Sequence, residues 1–209
     1  FPDCNGDPLN LAVESARLAG VISVVAAGNS NQNAINTSPA SALGAITVGS
    51  TTITDDKSGF SNFGSILDIQ APGSSINSAC AGNAQACNGE YATFSGTSMA
   101  CPHVAGVIAM ELEKGNIPME DSEDVDEVRN SLLCDSEANR ITLSTQAITA
   151  GTTRSLVQIP TNDGQWNCQP VAQPVAQPVA QPVAQPVAQP VAQPVAQPVA
   201  QPVAQPVAQ

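Results

Sequence analysis

A hydroxyl, a tight turn and a helix start come together in the stretch Ser95-Gly96-Thr97-Ser98-Met99-Ala100-Cys101-Pro102-His103-Val104-Ala105-Gly106. Tyr91 and Phe94 stand before it in a β-favouring run. Gly96 permits a sharp turn and Thr97 suits an N-cap. Ser98 is then expected in the first helical turn, where backbone N–H groups have no partner within the helix. A hydroxyl placed there can attack a carbonyl carbon while the free N–H groups receive the developing oxyanion. Pro102 is expected close to the helix start, since it cannot donate a helical hydrogen bond. Ala100, Ala105, Gly106 and Ala109 would let the helix approach a sheet closely. Read for packing alone, the same segment is a small-residue helix lying on a sheet. The hydrolase elbow G-x-S-x-G fits less well, because Ala100 stands where the second glycine belongs.

A second stretch, Ala26-Ala27-Gly28-Asn29, follows the apolar run Val21-Ile22-Ser23-Val24-Val25. Such a run predicts a central strand of a parallel sheet covered on both faces. Asp7-Pro8 reads as an N-cap followed by proline at the first helical position. Leu9, Val13, Ala16 and Leu18 mark the apolar face of that helix, and Gly20 ends it. Ala45 to Ser50 gives another strand. Helix-then-strand order predicts an α/β fold with its site at the carboxyl ends of strands. Asn29 at a strand end is a neutral donor suited to an oxyanion. Taken alone it reads as a turn residue, with Asn31 and Asn33 behind it.

The string Gly-Thr-Ser-Met-Ala-x-Pro-His-Val-Ala-Gly closely resembles the nucleophile segment of the subtilases, the subtilisin-like serine endopeptidases. The likeness covers about Leu9 to Glu111, is nearest to the proteinase K branch, and includes Phe60-Ser61-Asn62-Phe63-Gly64 and Leu67-Asp68-Ile69-Gln70-Ala71-Pro72-Gly73. The resemblance implies a largely parallel sheet with helices on both faces, here an incomplete subtilisin-like domain. It implies Ser98 as nucleophile and Asn29 as oxyanion-hole donor. It implies that Ala26, Ala27 and Gly28 line the pocket for the residue before the cleaved bond, and that polypeptides are the substrate. It also implies a structural Ca²⁺ held by the carbonyls of Leu43 and Ala45 and by Asp68; ligation by oxygen alone suits that ion. As a plain residue, Asp68 is a strand-end carboxylate.

A serine peptidase needs a base within hydrogen-bond reach of its serine and an acid to orient that base. The one histidine, His103, stands five residues past Ser98, which on a helix puts it ~140° around the axis and ~7.5 Å along it. In the family the base and the acid come from upstream segments, and neither stands in these 209 residues. Lys57 and Lys114 give no support for a Ser-Lys dyad. Two functions follow from different classes. One is the C-terminal part of a peptidase whose catalytic Asp and His belong to an upstream segment, so that this chain alone is inactive. The other is a non-catalytic remnant that binds peptides or bears a stalk.

Net charge is −12, and only six residues are Lys or Arg, a balance that argues against nucleic acid as partner. No run reaches the ~18–20 apolar residues of a membrane span. Phe1 begins without Met or a leader, as expected of an interior or processed piece. Six cysteines (Cys4, Cys80, Cys87, Cys101, Cys134, Cys168) without a CxxC pair point to a secreted, oxidising setting. Cys80 and Cys87 could close a local loop, whereas Cys101 reads as a buried free thiol. Residues 1–134 are expected to be the peptidase portion, and 135–168 a polar extension with no assignment. From 169 to 209 the unit Pro-Val-Ala-Gln repeats. A proline at every fourth residue breaks helix and sheet alike, so an extended, disordered tail of up to ~120 Å is expected. The acidic run Glu120 to Glu127 reads as a solvated helix start.

Overall fold

The structure, a computed structural model, describes residues 6–80, 90–113, 119–136 and 140–158. Cys4, Cys87, Cys168, Lys114 and the repeat tail lie outside the described residues. Helix α1 spans Pro8–Leu18, capped by the Asp7 carboxylate, which accepts the Leu9 N–H at 2.9 Å. It closes through Gly20 at φ +74, with the N–H groups of Gly20 and Val21 returned to the carbonyls of Arg17 and Ala16. The expected apolar face is only partly used. Val13 is buried, but Leu9 and Leu18 are exposed, and the second buried residue is Asn10, whose amide donates to Ser41 Oγ.

Strands β1 (Ser23–Ala26), β2 (Ala45–Thr51) and β3 (Ile69–Pro72) form a parallel sheet in the order β1-β2-β3. Register pairs Val24 with Ile46 and Val48 with Ile69. All seven residues of β2 are buried. The expectation of a central strand at Val21–Ala27 is therefore corrected: among the described residues β2 is central and β1 is an edge. Only Val25 of β1 is buried, and Val21 is exposed, so the run is not covered on both faces by the described residues.

Strand alternation divides two cores. Ile46, Val48, Ile69 and Ala71 meet Ala100, Val104, Val107 and Ile108 of helix α2 (Thr97–Glu113), together with Val128 and Leu132 of helix α3 (Ser122–Asp135). Val25 and Ala45 face the other way, onto Val13 of α1 and Ala42. The fold is thus α/β, a parallel sheet with helices on both faces. The acidic run does begin α3, with Asp121 and Asp124 forming a reciprocal cap. Strands β4 (Ile76–Ala79) and β5 (Tyr91–Phe94) pair as an antiparallel ribbon that delivers the chain to α2. Residues 140–158, which the sequence left without assignment, carry the short helix α4 (Thr145–Thr149) and pack on the far side of β3. There Gln70 accepts from Val157 N–H and donates its own N–H to Ser155 O, and Ile141 and Ala147 are fully buried. Among the described residues no helix is long and apolar enough to cross a membrane.

Candidate functional site

The carboxyl ends of β1 and β3 meet the start of α2. Gly73, just past β3, accepts the Gly96 N–H at 2.8 Å. A Cβ on Gly73 would stand 2.7 Å from Gly96 O, so only glycine allows this approach. Thr97 is the first residue of α2 and is fully buried. Its side chain does not cap its own helix, as the sequence suggested. Thr97 Oγ1 donates to Asn29 Oδ1 at 2.9 Å and accepts the Gly28 N–H at 3.1 Å. Asn29 Oδ1 also accepts the Thr97 N–H at 2.9 Å, so a residue far away in sequence caps α2. Long-range contact has replaced the local cap because β1 ends where α2 begins.

This arrangement sets the chemistry at Ser98. An N–H can only donate, so the Asn29 oxygen must face Thr97 and the Nδ2 group faces away from it. Asn29 and Ser98 are both exposed. Among the described residues, Asn29 Nδ2, Ser98 N–H and Ser98 Oγ have no hydrogen-bond partner within the protein. Two donors and a hydroxyl thus stand beside one another at an open helix N-terminus. Pro102 is the sixth residue of α2, deeper than expected, and removes the N–H that would have bonded Ser98 O. His103 Nδ1 lies 2.8 Å from Met99 O on its own helix. Lys57 Nζ donates to Asn31 Oδ1, Ser58 O and Ser61 O, at 3.1, 2.9 and 2.8 Å. Burial lowers its pKa.

Of the three expected pocket residues, Ala26 and Gly28 are half-buried and Ala27 is fully buried. The Ala27 methyl packs against Ala34, Ala40 and Leu67, so its side chain lines no open wall. The strand pleat sends alternate side chains to opposite faces, and Ala27 falls on the inner one.

Asn62 was legible only as part of the family likeness, yet it holds the whole β1 exit. It is buried, donates from Nδ2 to Ala27 O at 2.8 Å and accepts at Oδ1 from Ser30 N–H and Gln32 N–H, at 3.0 and 3.1 Å. Gly28 sits against it at φ +98, and a Cβ there would come within 2.5 Å of Asn62 Nδ2.

These features match a known scaffold. The family model described as "Subtilase family" matches residues 3–153. The chain belongs to the subtilase family. This subtilase is 61% identical over 99 residues to an alkaline proteinase of Hapsidospora chrysogena, covering 47% of this chain and 24% of that protein. It is 53% identical over 108 residues to alkaline serine exoprotease A of Vibrio alginolyticus, covering 52% and 19%. A solved cold-adapted subtilisin-like serine proteinase superposes with a TM-score of 0.61 at 40% identity, over 73% of this chain and 50% of that one. The subtilase chain therefore spans half or less of the length of these proteins. Ser98 stands on the helix that begins at Thr97, as the motif required.

Cys80 and Cys134 each take part in a disulfide. Cys101 is free and half-buried, its thiol donates to Val24 O at 3.4 Å, and burial raises its pKa.

The expected calcium ligands have other partners. Asp68 Oδ2 accepts the Thr47 N–H at 2.7 Å and Oδ1 receives Arg129 Nη2. Arg129 Nη1 donates to Leu43 O at 3.0 Å. Among the described residues no group of three or more His, Cys, Asp or Glu side chains gathers as a metal site. Two of the three expected ligands are thus already joined by a guanidinium, and the set as folded does not fit the ion.

Proposed function

We propose that this chain carries the nucleophile half of a subtilisin-like serine endopeptidase site. Ser98 Oγ gives its proton to a general base and attacks the scissile carbonyl, and Asn29 Nδ2 and the Ser98 N–H receive the oxyanion. The C–N bond then breaks, the amine leaves with the proton, and the acyl-enzyme remains on Ser98. The observation that carries this reading is the adjacency of those two unpartnered donors and the Ser98 hydroxyl at the start of α2. Substrates are polypeptides, and Ala26 and Gly28 flank the residue before the cleaved bond.

The general base and its orienting acid belong to a segment outside these residues. Two features support that partner. His103, the sequence's only histidine, is engaged by Met99 O. The outer edge of β1 has no strand beside it among the described residues, and next to it lies an apolar groove of about 340 Å³ lined by Val21, Val24, Ala105 and Ala109 among others. A segment that adds a strand to β1 and covers this groove would bury both. Secretion is supported by the disulfide-bonded Cys80 and Cys134.

The test adds back the missing groups. Without a base, hydrolysis retains only ~10³–10⁴ over water. The chain alone is expected to cleave a chromogenic peptide at no enzymatic rate. Refolded with the Asp- and His-bearing segment of a close relative, it is expected to gain turnover that Ser98→Ala abolishes. A folded, complemented chain without turnover, or turnover that survives Ser98→Ala, overturns the proposal. The second reading, a non-catalytic peptide-binding remnant, is favoured only by the engagement of His103. Peptide binding without turnover after complementation would establish it.

A further inference from the structure

We infer that the Arg129 guanidinium is the resident cation of the Asp68 site, a tethered replacement for a bound divalent ion. Asp68 is the buried end of the pair, its side chain 8% exposed, and Arg129 reaches it from α3 with 29% of its side chain exposed. One planar group joins two of the three residues expected to hold a cation. Nη2 donates to Asp68 Oδ1 and Nη1 donates to Leu43 O at 3.0 Å. The second carboxylate oxygen is held by Thr47 N–H at 2.7 Å, on β2 beside the start of β3.

Charge and space together exclude two cations here. Ca²⁺ takes six to eight oxygens at ~2.3–2.6 Å. An ion between Leu43 O and Asp68 Oδ1 would stand where the guanidinium nitrogens donate, against a fixed positive charge. The guanidinium fork suits a carboxylate and a carbonyl side by side and is never deprotonated. Because it is part of the chain, no loss of free ion removes it. It also fastens α3 to the β1–β2 connection, at Leu43, and to the entry of β3, at Asp68. A bound ion would join Leu43 to Asp68 directly, without recruiting α3.

The inference is independent of catalysis and is tested on the full chain without a substrate. Thermal unfolding is followed in EDTA and in excess CaCl₂, for the wild type, Arg129→Ala and Asp68→Asn. An ion at ~100 times its dissociation constant would raise Tm by ~5–10 °C. The wild type is expected to shift by less than ~1 °C, a limit well below that rise. Arg129→Ala is expected to melt lower in EDTA and to recover part of the loss in CaCl₂, since the carboxylate then lacks a cation. A calcium-dependent rise in the wild type that Asp68→Asn removes overturns the inference. A rise that persists unchanged in Asp68→Asn supports it, because the ion then sits elsewhere. An Arg129→Ala chain that folds and ignores CaCl₂ overturns the shared-site claim. If that variant does not fold, calorimetric titration of the wild type with CaCl₂ decides: heat lost in Asp68→Asn refutes the inference, and no such heat upholds it.

Discussion

Asn29 offers a perturbation in which structure and chemistry separate. Its oxygen accepts two hydrogen bonds from Thr97, both at 2.9 Å, and Thr97 is fully buried. Asn29→Ala strands a buried backbone N–H and deprives a buried hydroxyl of its acceptor. A stranded buried donor costs about 1–3 kcal/mol and the second bond about 1 kcal/mol more. A loss of about 3 kcal/mol follows, or a drop in Tm of ~6–12 °C for a domain of this size. Asn29→Asp retains the acceptor and sets a negative charge at the N-terminus of α2, which the helix favours. It is expected to stay within ~1 kcal/mol of the wild type. It nevertheless lacks the NH₂ group and places a charge beside the oxyanion. In the complemented enzyme it should lose ~10²–10³ in rate while remaining folded. Urea unfolding of the three chains measures the first part, and peptide hydrolysis measures the second. Equal destabilisation by Ala and Asp, or none by Ala, would refute the claim that the Asn29 oxygen caps α2. An Asp variant with full activity would refute the donor role of Nδ2.

Two further outcomes are expected. Asn62→Ala removes the donor to Ala27 O and the acceptor for the N–H groups of Ser30 and Gln32, and should cost about 3–5 kcal/mol; a change in urea midpoint worth less than ~1 kcal/mol would contradict its part in holding the β1 exit. The Asp7 pKa is lowered below 3.8, first by the Ser38 hydroxyl and then by the Leu9 N–H. A lowered folded-state pKa contributes stability that is present above the unfolded value and lost as pH falls through the folded one. The stability gap between the wild type and Asp7→Asn should therefore be full at pH 7 and shrink below pH 3.8; a gap that widens on acidification would reverse the assignment.

Features governed by neighbours in the chain were readable in the sequence. Asp7-Pro8 opened α1 and Gly20 closed it. Gly96 turned the chain into the helix that bears Ser98, and the acidic run after Glu120 began α3. Each depends on capping, φ preference or period, which act over about one helical turn. The run Ala45 to Ser50 likewise gave a buried strand, whereas Val21 to Ala27 gave one with a single buried residue, Val25; the motif string at Ser98 gave the family.

What the sequence left undetermined lies between residues far apart in the chain. That the Asn29 oxygen faces Thr97, and so frees its nitrogen, depends on the end of β1 meeting the start of α2. That Asp68 meets Arg129 depends on where α3 packs against the entry of β3, 61 residues later. That the Ala27 methyl faces the core was not legible, because only the pleat of the assembled sheet decides which side a methyl takes. Residue types determined which chemistry was possible at Ser98, Asn29 and Asp68. Tertiary structure decided which atom of each was left over for it, because a buried donor or acceptor takes whatever partner the packed chain brings within 3 Å or so.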